Sequence, residues 1–344
     1  MSEAPVTDET QNDTTGHGPL KGITVVDLTR ILAGPTMTQL LGDLGADVIK
    51  IERPGAGDDT RKWGPPFVTG KDGQPTRESA YYLSANRNKR SVAIDIARPE
   101  GADLVRRLAA SADVLTENFK VGGLKKYGLG YDDLKTTHPH LIYCSITGFG
   151  QTGPYASQAG YDYLAQGMSG IMSVTGTPDG EPMKVGVGIA DVVCGLYASN
   201  AVMAALLHRH QTGRGQHIDV ALLDATVSWL INEGTNYLVS GNVPKRRGNA
   251  HPNIVPYQLF ETQDGYFILA VGNDGQFARF CAVIGHPELA EDVRFATNPA
   301  RLENRDALVE ILKPALRAFA RDWIIEELSS RGVPAGPVND IGQA

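Results

Sequence analysis

Cysteine is scarce in this sequence. Cys144, Cys194 and Cys281 are the only three among 344 residues, and no CxxC pair is present. A disulfide framework or a zinc knuckle needs a closely organised set of cysteines, so we expect neither, and no metal site is predicted. Three unpaired thiols fit a reducing compartment, and we expect a cytoplasmic protein.

Positive charge is also in deficit, since 39 acidic residues outnumber 32 basic ones for a net charge of -7. This balance argues against nucleic acid or an anionic membrane as the main partner. The first residues are polar and acidic, and we expect residues 1–18 to form a disordered tail. No later run is expected to approach membrane-spanning length. Any anionic ligand must therefore meet local basic clusters.

The pattern that is present alternates short β-branched runs with helical segments between Gly22 and about Gly215. It predicts a parallel sheet covered by helices, a Rossmann-like α/β fold. The first strand lacks the three-glycine fingerprint of dinucleotide enzymes, so a nicotinamide or flavin cofactor is not expected. Beyond Gly241 the composition changes, and two strand-like runs flank a QDG turn at Asp264. We predict a tail at 1–18, a large α/β domain at 19–224, a linker and lid segment at 225–250, and a small α+β domain at 251–344.

Asp191 is the most informative residue of the chain. The glycines Gly186 and Gly188 precede it, and apolar residues at helical spacing follow it as far as His210. One interpretation is an ordinary N-cap, because aspartate is favoured there. The other is a nucleophile, ionised beside unpaired N–H groups at the positive end of a helix. The segment alone leaves both open.

Further segments accompany Asp191 in a fixed order between about Leu20 and Val338. They are LKGITVVDLTRILAGP from Leu20, GDLGADVIKIERPGAGDDTRKWGPPF from Gly42, NRNKRSVAIDI from Asn86, ENF from Glu117, YCSITGFGQTGPYASQAGYD from Tyr143, VGVGIAD from Val185, TGRGQHIDVALLDA from Thr212 and RGNAHPNIVPY from Arg247. In this set the sequence resembles the class III CoA-transferases, and it looks closest to the succinyl-CoA:glutarate type that moves CoA between dicarboxylic acids.

The resemblance implies a nucleophilic role for Asp191. That residue would attack the donor thioester, giving a mixed anhydride and then an aspartyl-CoA thioester that the acceptor carboxylate consumes. An aspartate is ordinarily ionised at neutral pH, so it needs no partner base. The implied donor is an acyl-CoA such as succinyl-CoA, the implied acceptor is a dicarboxylate, and no permanently bound cofactor is implied.

The resemblance also implies a path for coenzyme A. The residues expected to contact it are Ile31, Leu32, Ala33, Arg53, Asn118, Phe119, Lys120, Lys126 and Tyr161, with Arg87, Lys89 and Arg90 adding charge nearby. Gly248, Asn249, Ala250 and His251 align with the loop that covers the active site in formyl-CoA transferases, so they are the expected lid and substrate contacts.

Asp162 is a second carboxylate with alternative roles. It aligns with the catalytic aspartate of α-methylacyl-CoA racemases, which also need a histidine base, for which His138 and His140 are the candidates. The other interpretation is that Asp162 orders the site or caps the helix that it begins. We therefore rank a racemase-like enzyme second.

Quaternary structure follows from the resemblance as well. Family members form homodimers whose two chains interlock, and a homodimer is expected here. Members usually continue beyond the match to GVPAGPVND and return to the large domain, whereas this sequence stops at Ala344. A non-catalytic, CoA-binding remnant is thus a further alternative.

Overall fold

The computed structural model describes residues 17–344. The predicted tail at residues 1–18 therefore lies outside the described residues, except for His17 and Gly18. The described chain divides into two compact units, one formed by residues 17–172 and 184–231 and the other by residues 173–183 and 232–344.

A six-stranded sheet forms the centre of the first unit. Its strands are β1 (Thr24–Asp27), β2 (Asp47–Glu52), β5 (Lys89–Ala93), β6 (Val114–Glu117), β7 (Ile142–Thr147) and β8 (His217–Ala221). Their spatial order is β5-β2-β1-β6-β7-β8, and every neighbouring pair is parallel. The predicted α/β arrangement with a parallel sheet is confirmed. A hairpin of β3 (Phe67–Thr69) and β4 (Pro75–Ser79), which the sequence did not predict, forms a separate two-stranded sheet.

Helices connect the strands and cover the sheet. Between residues 17 and 230 they are α1 (Ala33–Asp43), α2 (Ala80–Ser84), α3 (Pro99–Ser111), α4 (Tyr131–Leu134), α5 (Asp162–Ser169), α6 (Ile171–Val174), α7 (Ile189–Thr212) and α8 (Leu222–Val227). Successive residues of β1 point to opposite faces of the sheet, so Val25 joins the core beneath α1 and α7, whereas Val26 joins the core beneath α3. Both valines are fully buried, as expected for a parallel sheet covered on both faces.

The helix α7 contradicts one expectation from the sequence. The helix has 24 residues, and an 18-residue stretch of it has a mean hydropathy of 1.6, so it is long and apolar enough to cross a membrane. Half of that stretch is buried within the described chain, and Val193, Cys194 and Val202 belong to the core. A largely buried core helix passes the same test, so this helix is only a weak indication of a membrane span.

The backbones of helices α1 and α7 come into close contact at Gly195. A Cβ on Gly195 of α7 would lie 2.6 Å from the backbone oxygen of Ala33, the first residue of α1. Only glycine permits this approach. It holds the start of α1 beside the first turns of α7, where Asp191 lies.

The second unit has its own sheet and core. Its elements are α9 (Ile231–Ser240), β9 (Tyr257–Glu261), β10 (Tyr266–Ala270), α10 (Asp274–Val283), α11 (Asn298–Glu303), α12 (Arg305–Leu316), α13 (Arg321–Ser330) and β11 (Ala335–Pro337). The strands β9 and β10 form the predicted hairpin, and β11 adds antiparallel to β10. Phe267, Phe277 and Phe280 are fully buried between this sheet and the helices.

Candidate functional site

A cavity opens at the carboxyl ends of three neighbouring strands of the first unit. It is lined by the turn after β1, the loop after β6, the end of β7 and the start of α7. The chain passes from β1 to β2 on one side and later returns to β6 on the other. The cavity therefore lies at the switch point where open α/β sheets bind ligands. Of the residues expected from the sequence, it brings together Ile31, Leu32, Ala33, Asn118, Phe119, Lys120, Tyr161 and Asp191.

Asp191 is the third residue of α7 rather than its N-cap. Gly188 occupies the N-cap position and offers no side chain to the helix end. A Cβ on Gly188 would lie 3.0 Å from Leu32 and 3.6 Å from a carboxylate oxygen of Asp162, so the chain is close to other groups here. The N-cap interpretation of Asp191 is therefore wrong, and its carboxylate lines the cavity.

The carboxylate that caps α7 is that of Asp162, the first residue of α5. Its Oδ1 accepts hydrogen bonds from the backbone N–H groups of Ala190 at 2.8 Å and Asp191 at 3.3 Å. Its Oδ2 accepts from Gln166 Nε2 at 2.8 Å, and Gln166 Oε1 accepts from the N–H of Val185 at 2.9 Å. Asp162 thus orders the approach to α7 and caps that helix, not the helix that it begins. The N–H groups expected to be unpaired are already bound.

Burial changes the acidity of Asp191. The side chain is 9% exposed, and loss of hydration, together with the negative charge of Asp162, raises its pKa to about 7. Asp191 is therefore less readily ionised at neutral pH than the ordinary aspartate that the sequence suggests.

Tyr81 on α2 is a neighbour of this pair that sequence reasoning missed. Burial and the charges of Asp191, Asp162 and Asp58 raise the pKa of its hydroxyl. Its ring packs edge-on against Trp63, with the ring centroids 5.1 Å apart. No spacing in the sequence signals this approach, because α2 and α7 are more than 100 residues apart.

The turn after β1 is held in a strained conformation. Ile31 has a φ of 74°, in the left-handed region that β-branched residues avoid. The side chain of Asn118 accepts from the N–H of Arg30 at 3.0 Å and donates to the Arg30 oxygen at 2.7 Å. Beneath the turn, the buried Lys50 pairs with Asp58 at 2.9 Å and donates to the Thr29 oxygen. Asn118 therefore fixes the shape of the cavity, and strain of this kind is common at functional sites.

A second cavity adjoins the first and shares Arg30 and Phe119 with it. Its walls are mainly apolar, with Leu28, Ile51, Ile94, Ile96 and Tyr127 among them, and Arg53 is also part of its lining. Lys126 is exposed, with its ammonium 4.8 Å from the centre of the Tyr127 ring. We call this second cavity the apolar slot. Arg53 lines it and Lys126 precedes its lining residue Tyr127, and neither residue lines the cavity that contains Asp191.

The three basic residues expected to add charge do not line either cavity. Arg87 pairs with Asp43, and Arg90 pairs with Asp47. Lys89 is buried against Asp27 at 3.3 Å, and burial lowers its pKa to about 8. Each of the three thus has a local carboxylate partner, and a contribution of their charge to CoA binding stays a prediction.

The four residues expected to form the lid lie in the second unit. The N–H of Gly248 donates to the Gly176 oxygen at 3.0 Å, and Arg305 donates to the His251 oxygen at 2.8 Å. The ring of His251 lies 5.1 Å from that of Tyr257, and its Nδ1 accepts from the N–H of Asn253. Gly248 and Asn249 form a turn that the N–H of Ala250 closes by donating to the Arg247 oxygen at 3.2 Å. A lid role for these residues stays a prediction.

No group of three or more histidine, cysteine, aspartate or glutamate side chains that could hold a metal ion occurs within residues 17–344. The cavity that contains Asp191 is lined by this buried carboxylate, by Arg30 and Lys120, and by apolar side chains.

Comparison with known proteins identifies the family. A model of CoA-transferase family III matches residues 20–344. A succinate-glutarate CoA-transferase from Agrobacterium fabrum is 54% identical over 323 residues, covering 94% of this chain and 80% of that protein. The chain belongs to CoA-transferase family III. Human succinyl-CoA:glutarate CoA-transferase is 47% identical over 331 residues, covering 96% of this chain and 74% of that protein. The crystal structure of a CaiB/BaiF family protein from Brucella suis matches with a TM-score of 0.85 and 56% identity, covering 95% of this chain and 85% of that one.

As a family III CoA-transferase, the protein is an enzyme that uses acyl-CoA and carboxylic acid substrates. The racemase alternative required a histidine base near Asp162. His138 and His140 instead precede the amino end of β7, whereas the cavity lies at the carboxyl ends of the strands. The structure therefore does not assemble the acid–base pair that a racemase needs.

Proposed function

We propose that this family III enzyme transfers CoA from succinyl-CoA to a dicarboxylic acid of the glutarate class, with Asp191 as the nucleophile. The observation that carries the proposal is a buried carboxylate in a cavity lined by the residues expected to contact coenzyme A. The similarity to the succinate-glutarate CoA-transferase of Agrobacterium and the human succinyl-CoA:glutarate CoA-transferase supports this donor and acceptor.

The proposed chemistry uses only Asp191 and the two substrates. A carboxylate oxygen of Asp191 attacks the thioester carbonyl, the C–S bond breaks, and CoA leaves as its thiolate. The thiolate then attacks the carbonyl of Asp191, releasing succinate and forming an aspartyl-CoA thioester. Glutarate repeats these two steps in reverse order and leaves as glutaryl-CoA. One thioester replaces another, so the exchange needs no added energy source.

The environment of Asp191 suits this sequence. Little water reaches the side chain, which protects an anhydride from hydrolysis. The same burial keeps the carboxylate poorly solvated, and a carboxylate with a pKa of about 7 is more basic than an exposed one. Only the protein molecules in which Asp191 is ionised can react, however, so the raised pKa lowers the reactive fraction near neutral pH.

Coenzyme A is proposed to span the two adjoining cavities. Its pantetheine would follow Ile31, Leu32 and Ala33 toward Asp191, and its adenine would enter the apolar slot beside Arg53. Phe119, Lys120 and Tyr161 line the first cavity, and Asn118 holds its shape. The exposed Lys126 would contact the nucleotide part of coenzyme A.

Three further features of the proposal come from the family resemblance. The enzyme is proposed to act as an interlocked homodimer in the cytoplasm. Residues 248–251 are proposed to cover the reacting groups, with His251 in contact with substrate. No permanently bound cofactor is proposed.

The experiment that tests the proposal traps the acyl-enzyme. The purified protein is incubated with succinyl-CoA, quenched with hydroxylamine, digested and analysed by mass spectrometry. A hydroxamate on Asp191 is expected in the native chain and is absent from Asp191→Asn. Asp103→Asn, which alters an exposed aspartate of α3, is the matched control and should label like the native chain. A native protein that binds CoA but forms no adduct would overturn the nucleophile, and an adduct without transfer to glutarate would overturn the acceptor.

A further inference from the structure

Arg30 is a cation of the turn after β1 that none of the expected contacts includes. It lines the cavity that contains Asp191 and also the adjoining apolar slot beside Arg53. Arg30 and Phe119 are the two residues common to both linings. Any ligand that occupies both cavities must therefore pass beside the guanidinium of Arg30.

Several contacts fix the position of this guanidinium. Asn118 binds both the N–H and the carbonyl oxygen of Arg30, so its backbone cannot shift freely. The guanidinium carbon lies 5.5 Å from the centre of the Phe119 ring. Arg30 Nη1 donates to Asp59 Oδ2 at 2.7 Å. The side chain is thus oriented before any ligand arrives, which lowers the entropy lost on binding.

The local charge balance favours an anion. Asp59 pairs with Arg30 at 2.7 Å and also with Arg53 at 3.6 Å, so one carboxylate is shared by two guanidinium groups. Lys120 lines the same cavity. In addition, Arg30 Nε is buried and has no hydrogen-bond partner within residues 17–344. Because this nitrogen is shielded from solvent, an incoming oxyanion would bind the guanidinium through its Nη groups.

We propose that Arg30 binds the pyrophosphate of coenzyme A, an inference that rests on the proposed course of CoA through both cavities. The pyrophosphate joins the pantetheine arm to the adenosine. If the arm runs toward Asp191 and the adenine enters the slot beside Arg53, the pyrophosphate crosses the region that the two cavities share. A planar guanidinium with several donors matches phosphate oxygens in both charge and geometry.

The test compares donors that lack successive parts of the nucleotide. Arg30→Gln is assayed with succinyl-CoA, with succinyl-dephospho-CoA, which keeps the pyrophosphate, and with succinyl-pantetheine, which lacks the nucleotide. We expect kcat/KM to fall about ten- to a hundredfold for the first two donors, the usual effect of losing a charge-assisted hydrogen bond. With succinyl-pantetheine the change should stay within about twofold, and Arg30→Lys should recover part of the loss because it keeps the charge.

Arg90→Gln is the matched control, because Arg90 also pairs with an aspartate but lies outside both cavities. It should change none of the three values. An equal loss of Arg30→Gln with succinyl-pantetheine would overturn the proposal and assign Arg30 to support of the turn. A loss confined to succinyl-CoA would also overturn it, since the 3′-phosphate would then be the partner.

Calorimetric titration of free CoA separates this inference from the proposed reaction. Weaker CoA binding by Arg30→Gln than by the native chain is expected even if glutarate proves to be the wrong acceptor. Equal CoA affinities of the two proteins would overturn the role of Arg30, whatever the acceptor.

Discussion

Asp191 and Asp162 divide two tasks at one end of α7. Asp162 satisfies the N–H groups of Ala190 and Asp191, while the carboxylate of Asp191 lines the cavity. Like charges in a poorly hydrated place oppose each other's ionisation. The residue that holds the helix end in place therefore also makes its neighbour a stronger base.

This pairing predicts the pH dependence of acylation. Because the reactive form of Asp191 is ionised and its pKa is about 7, the single-turnover rate of acyl-enzyme formation should rise with pH around a midpoint near 7. In Asp162→Asn the amide oxygen can still accept from the N–H of Ala190, but the negative charge is gone. The midpoint should move to lower pH, while Asp103→Asn leaves it in place. An unchanged midpoint in a folded Asp162→Asn protein would mean that burial alone sets the pKa.

The raised pKa of Asp191 should also make the stability of the protein depend on pH. The folded pKa of about 7 lies above the ordinary aspartate value of 3.8, so the folded state holds the proton more tightly than the unfolded chain. Ionisation of Asp191 therefore lowers the free energy of unfolding as the pH rises from about 4 to 7, by at most about 4 kcal/mol.

Asp191→Asn removes this penalty. The variant should unfold at a higher temperature than the native chain at pH 8, by a margin that shrinks at pH 5 and disappears near pH 4. Thermal unfolding followed by circular dichroism at these pH values measures the margin. A constant difference across the range would show that the side chain is not titrating near neutral pH.

At the level of elements, the contact between α1 and α7 positions the two helix ends that line the cavity. The first residue of α1 belongs to the turn that lines the cavity, and α7 presents Asp191 to the same cavity. The close approach at Gly195 holds these two helices in register. A change at this contact should therefore reach the site although no substrate touches it.

Gly195→Ala tests the importance of this contact. Its Cβ would lie 2.6 Å from the Ala33 oxygen and 3.1 Å from Thr36, so the helices must separate. Overpacking of this kind costs about 1–3 kcal/mol, measured as a lower urea midpoint. The matched control is Gly167→Ala in α5, where the nearest atom is Met172 sulfur at 3.8 Å. That change should stabilise the protein by about 0.5–1 kcal/mol. Equal effects of the two substitutions would show that the helices can move apart at no cost.

The elements also differ in how readily the sequence predicted them. The alternation between Gly22 and about Gly215 predicts the parallel sheet, and the runs around the QDG turn predict the hairpin of β9 and β10, because runs of β-branched residues are local signals. The strand β8 lies just beyond the first of these ranges. The strand β11, with the sequence Ala-Gly-Pro, has no such signal and depends on pairing with β10. The hairpin of β3 and β4 combines a three-residue strand with the polar run Pro-Thr-Arg-Glu-Ser. Tertiary context decides such elements, and propensity does not.

The residues of the site also differ in whether the sequence could predict them. Asp191 and the turn at Ile31 could be named from the sequence because each belongs to a continuous motif. The capping of α7 by Asp162 joins residues 28 positions apart, and the pair of Arg30 with Asp59 joins residues 29 positions apart. The raised pKa of Asp191 depends on burial, which no local pattern reports. Contacts between distant segments thus supply the electrostatics that the motifs lack.

At the level of the whole molecule, each of the two units has a separate hydrophobic core. The second unit nevertheless leaves large apolar side chains on its surface. Leu238 and Val239 of α9 are 81% and 83% exposed, and Val243 shortly after the helix is 72% exposed. A cluster of this kind is unusual on a monomer and is typical of an interface. If the enzyme is the proposed homodimer, we expect the second chain to cover this cluster.

Substitution of one valine by lysine tests this inference. Val239→Lys would place a charge in the interface and should shift the protein from dimer toward monomer in light scattering at micromolar concentration. Val293→Lys is the matched control, because Val293 is 84% exposed in the same unit but lies away from α9 in the sequence. It should leave the mass unchanged. A native chain that is monomeric, or an equal response of the two variants, would show that α9 is not the interface, since only a charge buried by association weakens the dimer.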